Sequence, residues 1–196
     1  MRVVLVDAGG TNIGSVRYAL RRLGVETALT ADAAAIRSAD RVILPGVGAA
    51  GPGMARLHEL GLVEVLRSLT QPVLGVCLGM QLLCAHLDEG NVEGLGLIPA
   101  RVGHLVARAE LRVPHMGWNT LRAVAPHPLL AGLEAGDQAY FVHSYVVPVG
   151  PWTLATAEYG EPFSAVVAHR NFFGMQFHPE RSAKVGARLL GNFLRP

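Results

Sequence analysis

Gly75-Val76-Cys77-Leu78-Gly79 places a cysteine where an apolar run gives way to a helical pattern, with glycines two positions to either side. A nucleophile at a strand-to-helix corner sits on a strained turn, and flanking glycines relieve the crowding there. The corner exposes the side chain and sets it at a helix N-terminus, where free N–H groups and the dipole favour a thiolate. The competing reading is a buried cysteine in a tight turn. Cys84, among Leu82, Leu83 and Leu87 of a helix predicted from Leu78 to about Leu87, reads as a core residue.

A cysteine nucleophile needs a base, and the base needs an orienting group. Among 8 histidines, His178 stands out in Gln176-Phe177-His178-Pro179-Glu180, at the end of a predicted strand. Parallel α/β sheets place their ligands at such ends. Glu180, past a proline, can turn back to hold the imidazole; the plainer alternative makes it a cap of the last helix. His143 in Phe141-Val142-His143-Ser144-Tyr145 and His115 in Pro114-His115-Met116-Gly117-Trp118-Asn119 are alternative bases. No helical His-x-x-x-His pair and no Cys-x-x-Cys occurs, so no metal site is expected. Gly9-Gly10-Thr11-Asn12-Ile13-Gly14 fits neither a Walker loop nor a dinucleotide fingerprint, and no cofactor is expected either.

The elements that must position these groups follow from periodicity. Strands are predicted at Arg2 to Val6, Val25 to Leu29, Arg41 to Leu44 and Pro72 to Val76. Between them lie helical patterns: Ile13, Val16, Ala19, Leu20 and Leu23 share one face after an Asn12 cap, and Met54 to Leu69 breaks at Gly61. Repeated strand–helix units imply a parallel sheet covered by helices on both faces. After Gly90 strands follow one another: Arg101 to Val106, Trp118 to Val124, Gln138 to His143, Trp152 to Tyr159, Pro162 to His169 and Asn171 to Phe177. These suggest antiparallel strands added to the sheet. An amphipathic helix, Arg181 to Leu194, closes the chain. The fold class is therefore α/β, one domain (residues 1–196) with an open mixed sheet.

Composition bounds the function. With 196 residues, 51% hydrophobic and 16% charged, the chain is one ordinary globular domain. A net charge of +2 argues against intrinsic disorder and against a nucleic-acid binder living on phosphate contacts. The arginines from Arg101 to Arg122 read as a solvated face. The apolar start, Val3 to Val6, is too short for a signal-peptide core, and no apolar run approaches the roughly 18 residues of a membrane helix. The 2 cysteines make no disulfide framework, and a cytoplasmic location is expected.

Once Cys77 is taken with Gly79-Met80-Gln81, and His178 with Glu180, the chain resembles the class I, triad-type glutamine amidotransferases. Among them it is similar to those serving imidazole glycerol phosphate synthases. The narrower likeness rests on Asn12-Ile13-Gly14-Ser15-Val16, Pro45-Gly46-Val47-Gly48, Pro114 through Asn119, Phe141 to Tyr145 and Phe177 to Ser182. One departure is Thr11, where the family usually carries glycine. The resemblance implies hydrolysis of L-glutamine to glutamate and ammonia, with Cys77, His178 and Glu180 catalytic. It implies an oxyanion hole from Leu78 and Val47. Substrate contacts fall to Gly48, Gln81, Glu89, His143, Ser144 and Tyr145. Asn12, Met116, Gly117 and Trp118 would face a partner, a (β/α)8-barrel cyclase that uses the ammonia within a heterodimer of histidine biosynthesis.

Three rivals remain at this level. A glutaminase serving an anthranilate, purine or pyridoxal phosphate synthase would share the chemistry at Cys77. A catalytically silent regulatory subunit would keep only the fold. A cysteine hydrolase of peptides would differ in substrate.

Overall fold

The computed structural model describes residues 1–9, 13–106 and 110–195. The first half alternates β1 (Val3–Val6), α1 (Ile13–Arg22), β2 (Thr27–Thr30), α2 (Ala33–Arg37), β3 (Arg41–Gly46), α3 (Ala50–Glu59), α4 (Leu62–Arg67), β4 (Val73–Cys77) and α5 (Leu78–Leu82). Short strands β5 (Cys84–Leu87) and β6 (Val92–Glu93) precede β7 (Ile98–His104), β8 (His115–Thr120) and β9 (Arg122–Ala123). Then come β10 (Gln138–His143), β11 (Tyr145–Val146), β12 (Thr153–Tyr159), β13 (Glu161–His169), β14 (Phe172–Met175) and α6 (Ala183–Leu194).

The main sheet has eight strands in the order β2-β1-β3-β4-β14-β13-β12-β9. Its first five strands run parallel, and β13, β12 and β9 are added antiparallel. The period-2 geometry of a strand explains the unbroken apolar runs of the central strands. Val4, Val6, Val42 and Leu44 enter one core with Leu57, Leu62 and Leu66 of α3 and α4. Val3, Leu5, Ile43 and Leu74 enter the other with Leu20 of α1 and Leu189, Leu190 and Phe193 of α6. Helices thus cover both faces, as the strand–helix alternation predicts. No helix among the described residues is long and apolar enough to cross a membrane.

Three expectations need correction. The helix predicted to reach Leu87 ends at Leu82, and Cys84 opens strand β5 instead. The backbone N–H groups of Leu95, Leu97 and Gly96 take the carbonyls of Leu82, Leu83 and Cys84, with N···O distances of 2.8, 2.9 and 3.1 Å. Those carbonyls are the acceptors a longer helix would have kept, and Gly94 permits the approach because a Cβ there would strike the Cys84 carbonyl. Second, not every later strand joins the main sheet: β8 and β10 form a separate antiparallel ribbon, and β11-β7-β5-β6 a four-stranded sheet. Third, β14 returns parallel to β4 rather than antiparallel, with Met175 beside Val76. That return decides the site.

Candidate active site

Strand β4 delivers Cys77 to a corner with φ 54° and ψ −112°, a left-handed backbone that non-glycine residues adopt only under constraint. The constraint is backbone packing against three glycines. A Cβ on Gly75 would lie 2.6 Å from the Gly79 carbonyl carbon, and one on Gly46 would lie 2.7 Å from the Gly79 nitrogen. Gly79 itself has no room for a Cβ against the Leu44 carbonyl oxygen. The glycines at the corner are therefore where β3, β4 and α5 touch. Because α5 has only 5 residues, the corner geometry outweighs any long helix dipole behind the sulfur.

Strand β14 lies beside β4, so the segment leaving it passes the sulfur. The backbone of His178 is pinned: its N–H donates to the Tyr140 carbonyl at 2.9 Å, and its carbonyl accepts from Ser182 Oγ at 2.7 Å. Ser182 Oγ in turn accepts from the Tyr140 N–H at 2.9 Å. Pro179–Arg181 form one 3-10 turn that swings Glu180 back, and its Oε1 lies 2.9 Å from His178 Nδ1. Glu180 therefore orients the ring rather than capping α6, and its side chain is 1% exposed. Burial alone would lower the His178 pKa. Hydrogen bonds from the ring to Cys77 and Glu180, and their negative charges, outweigh burial and raise it to about 10. An imidazolium beside a sulfur is the setting in which the nucleophilic thiolate persists.

A cleft of ≈ 330 Å³ opens over Cys77 and His178. Val47, Gly48, Leu78, Gln81, Glu89, His143, Ser144 and Tyr145 all line it. Gly48 has φ +98°, a conformation glycine alone adopts without strain. Glu89 Oε2 accepts from the Ala50 N–H at 2.7 Å, so this carboxylate also caps α3. Cys84 is fully buried, and burial pushes its thiol up to about 12. Reactivity thus separates the two cysteines.

His143 and His115 are bonded to each other rather than to the sulfur. They stand opposite each other on β10 and β8, with His115 Nδ1 and His143 Nε2 at 2.9 Å. His143 Nδ1 is 2.9 Å from the Tyr145 carbonyl, which only accepts, so that nitrogen carries the proton and Nε2 accepts from His115. His115 Nε2 then accepts from Asn119 Nδ2 at 3.3 Å. Burial drives the pKa of His115 to about 4 and that of His143 to about 3; the neighbouring His115 also depresses His143. Both rings are neutral structural groups, and His143 meets the cleft as a wall.

Gln176 escaped the sequence reading. It is fully buried, its Nε2 lies 3.9 Å from Cys77 Sγ, and its Oε1 lies 2.9 Å from Gln81 Nε2. Its spacing of two from His178 was the one available signal. Of the residues expected to face a partner, Met116 and Trp118 point outward from β8, 62% and 51% exposed, with Gly117 half-buried between them. Asn12, like Thr11, lies outside the described residues.

The profile of the family "Glutamine amidotransferase class-I" matches residues 4–195. The chain is 56% identical over 192 residues to the imidazole glycerol phosphate synthase subunit HisH of Xanthomonas axonopodis pv. citri, covering 98% of this chain and 96% of that protein. The corresponding subunit of Xylella fastidiosa is 55% identical over the same shares. Among solved structures, a glutamine amidotransferase from Thermotoga maritima superposes with a TM-score of 0.68 at 16% identity, covering 99% of this chain and 96% of the other. The glutaminase domain of Trypanosoma brucei CTPS, with bound acivicin, gives 0.67 at 17% identity, covering 98% and 93%. At such identities these two structures speak for the fold, whereas the matched profile and the close relatives speak for descent: the chain belongs to the class I glutamine amidotransferases.

Proposed function

We propose that the chain, as one domain over residues 1–196, is the glutaminase subunit of an imidazole glycerol phosphate synthase in histidine biosynthesis. The observation that carries this reading is the meeting of Cys77 and His178 on one cleft, with Glu180 behind the imidazole, in a chain 56% identical to a HisH subunit. The Cys77 thiolate attacks the side-chain amide carbon of L-glutamine, and the tetrahedral oxyanion is held by the N–H groups of Leu78 and Val47. His178 gives its proton to the departing nitrogen, so ammonia leaves and a thioester remains. Water then loses a proton to the same imidazole and attacks the thioester, releasing glutamate and the sulfur. Glu180 stabilises the imidazolium in both halves. Gly48, Gln81, Glu89, Ser144 and Tyr145 hold the amino-acid end of the substrate, with His143 behind them.

Ammonia freed into water is protonated and lost as a nucleophile. The reading therefore includes a (β/α)8-barrel cyclase docked over the site as a cytoplasmic heterodimer, with Met116, Gly117 and Trp118 toward it and Asn12 assigned there by sequence alone. The cyclase consumes a phosphorylated ribulosyl carboxamide and makes imidazole glycerol phosphate and an aminoimidazole ribonucleotide. Glutamine hydrolysis measured after mixing with candidate synthases tests the proposal. Turnover should rise with the histidine-pathway cyclase; stimulation by an anthranilate, purine or pyridoxal phosphate synthase instead would overturn it.

A further inference from the structure

We propose that Gln176 is a further residue of the catalytic centre: its side-chain amide, locked in one orientation, donates an N–H to the Cys77 sulfur and stabilises the thiolate. The inference deepens the glutaminase reading and rests on it for the role of the sulfur, but its geometry stands on its own.

Orientation follows by elimination. The Tyr145 carbonyl only accepts, and it lies 3.1 Å from Gln81 Nε2, so the amino end of Gln81 faces it. The second hydrogen of that amino group points to Gln176, whose near atom at 2.9 Å must be the acceptor Oε1. The amino end of Gln176 is thereby turned toward Cys77 Sγ, 3.9 Å away. The same logic fixes the far side, because His143 Nδ1 also donates to the Tyr145 carbonyl at 2.9 Å. With Gln176 fully buried, no water competes for its amide.

Two groups of opposite polarity therefore touch the sulfur at equal range. The Val142 carbonyl, 3.9 Å from Sγ, suits the protonated thiol, and the Gln176 amide suits the anion. A hydrogen bond to a charged acceptor is shorter and stronger than one to a neutral group, so the Gln176 contact gains most when the sulfur is ionised. The titratable groups around the sulfur are His178, with Glu180 behind it, and Glu89, His143 and Tyr145 on the cleft wall. Gln176 carries no charge and adds its effect to the His178 imidazolium. Unlike His178, it gives up no proton during the cycle. It would thus hold the anion through both the attack and the release of the thioester.

The test is the pH dependence of Cys77 alkylation by iodoacetamide in the whole chain, with Cys84 silent because it is buried. Gln176→Met keeps the length and apolar fit but has no donor; Gln176→Glu keeps the acceptor facing Gln81 and puts an oxygen against the sulfur. Both should move the alkylation midpoint up, Gln176→Met by about 1 pH unit, which is about a tenfold loss of rate at pH values below the midpoint, and Gln176→Glu by more. Should neither Gln176 variant fold, Gln81→Met releases the lock and should move the midpoint the same way by less. A folded Gln176→Met, or failing that Gln81→Met, with the midpoint of the unsubstituted chain overturns the proposal, since a packing role would lower the melting temperature and leave the midpoint alone. Iodoacetamide needs no glutamine, so failure here is distinct from failure of the glutaminase reading, which shows as absent glutamine turnover with the cyclase.

Discussion

Gly79 stands against the Leu44 carbonyl oxygen with no space for a single methyl group. Gly191, in the last turn of α6, has nothing within 4 Å of where its Cβ would be. The same substitution should therefore act with opposite signs. Gly79→Ala forces α5 away from β3, and with it the Cys77 corner; a cost of about 3 kcal/mol or more, or failure to fold, is expected. Gly191→Ala removes unfolded-state entropy at a compatible helical site and should add about 0.5–1 kcal/mol, raising the melting temperature by a few degrees. Urea denaturation of both variants checks the contrast, and a neutral Gly79→Ala would mean that the corner is not built by backbone contact.

Cys77→Ser should abolish glutamine hydrolysis, by at least about 10³-fold, because the alcohol is not ionised beside the imidazolium. Synthesis by the partner from added ammonia should survive, since the change leaves the docking face intact. Cys84→Ser should keep the glutaminase but lose stability, because it puts a hydroxyl into the core. Inactivation by Cys84→Ser with a stable fold would displace the nucleophile from β4.

Glu89 has two duties in the structure, a cap on α3 and a place on the cleft wall. Glu89→Gln keeps an oxygen for the Ala50 N–H and removes only the charge. If the carboxylate meets the ammonium group of glutamine in both ground and transition state, KM should rise about tenfold with kcat nearly unchanged. A fall in kcat at constant KM would place Glu89 outside substrate binding.

The parts legible in sequence were those fixed by short-range rules. Gly75 and Gly79 around Cys77 announce a corner because only glycine fits there, and the apolar runs of β1, β3 and β4 announce a sheet covered twice. The end of α5 was not legible, since it depends on carbonyls of Leu82–Cys84 being claimed by N–H groups of residues 95–97, beyond any local window. Gln176 was missed for a related reason. A buried amide shows its purpose only through what faces it, and Gln81 and Cys77 come from another part of the chain. Glu180 was ambiguous between cap and orienting group until the turn at Pro179 fixed its direction.

His178 on one side, and His115 and His143 on the other, should leave opposite marks on stability. His178 has a folded pKa of about 10, above its unfolded value of about 6.5. Its contribution is therefore full below pH 6.5 or so and is lost as pH rises through about 10. His115 and His143 have folded values of about 4 and about 3, so the unfolded chain binds the extra protons. Their contribution is full above about pH 6.5 and is lost as pH falls toward 4 and below. Urea midpoints across this range should fall at both ends. His115→Gln should be less stable at neutrality yet show a shallower acid limb, and parallel acid limbs would remove the pair as the cause.

Trp118 and Met116 alternate with the buried His115 along β8, so one face of the strand closes the core while the other offers an indole and a thioether to solvent. Adjacent exposed large apolar groups on a folded chain mark an interaction surface more often than chance. The indole is not loose: it packs edge-on against Tyr140 at 5.9 Å between centroids, and the Arg181 guanidinium lies 4.6 Å from the centre of the Tyr140 ring. A pre-positioned exposed aromatic gains contact area on docking without losing much rotamer freedom, which is the character of a binding hot spot. Trp118→Ala should accordingly weaken the cyclase complex by about 2 kcal/mol, a rise of about 30-fold in Kd by titration calorimetry. The melting temperature of the lone chain should move little, because the indole is half in solvent. Unchanged affinity would mean that the partner docks on another face.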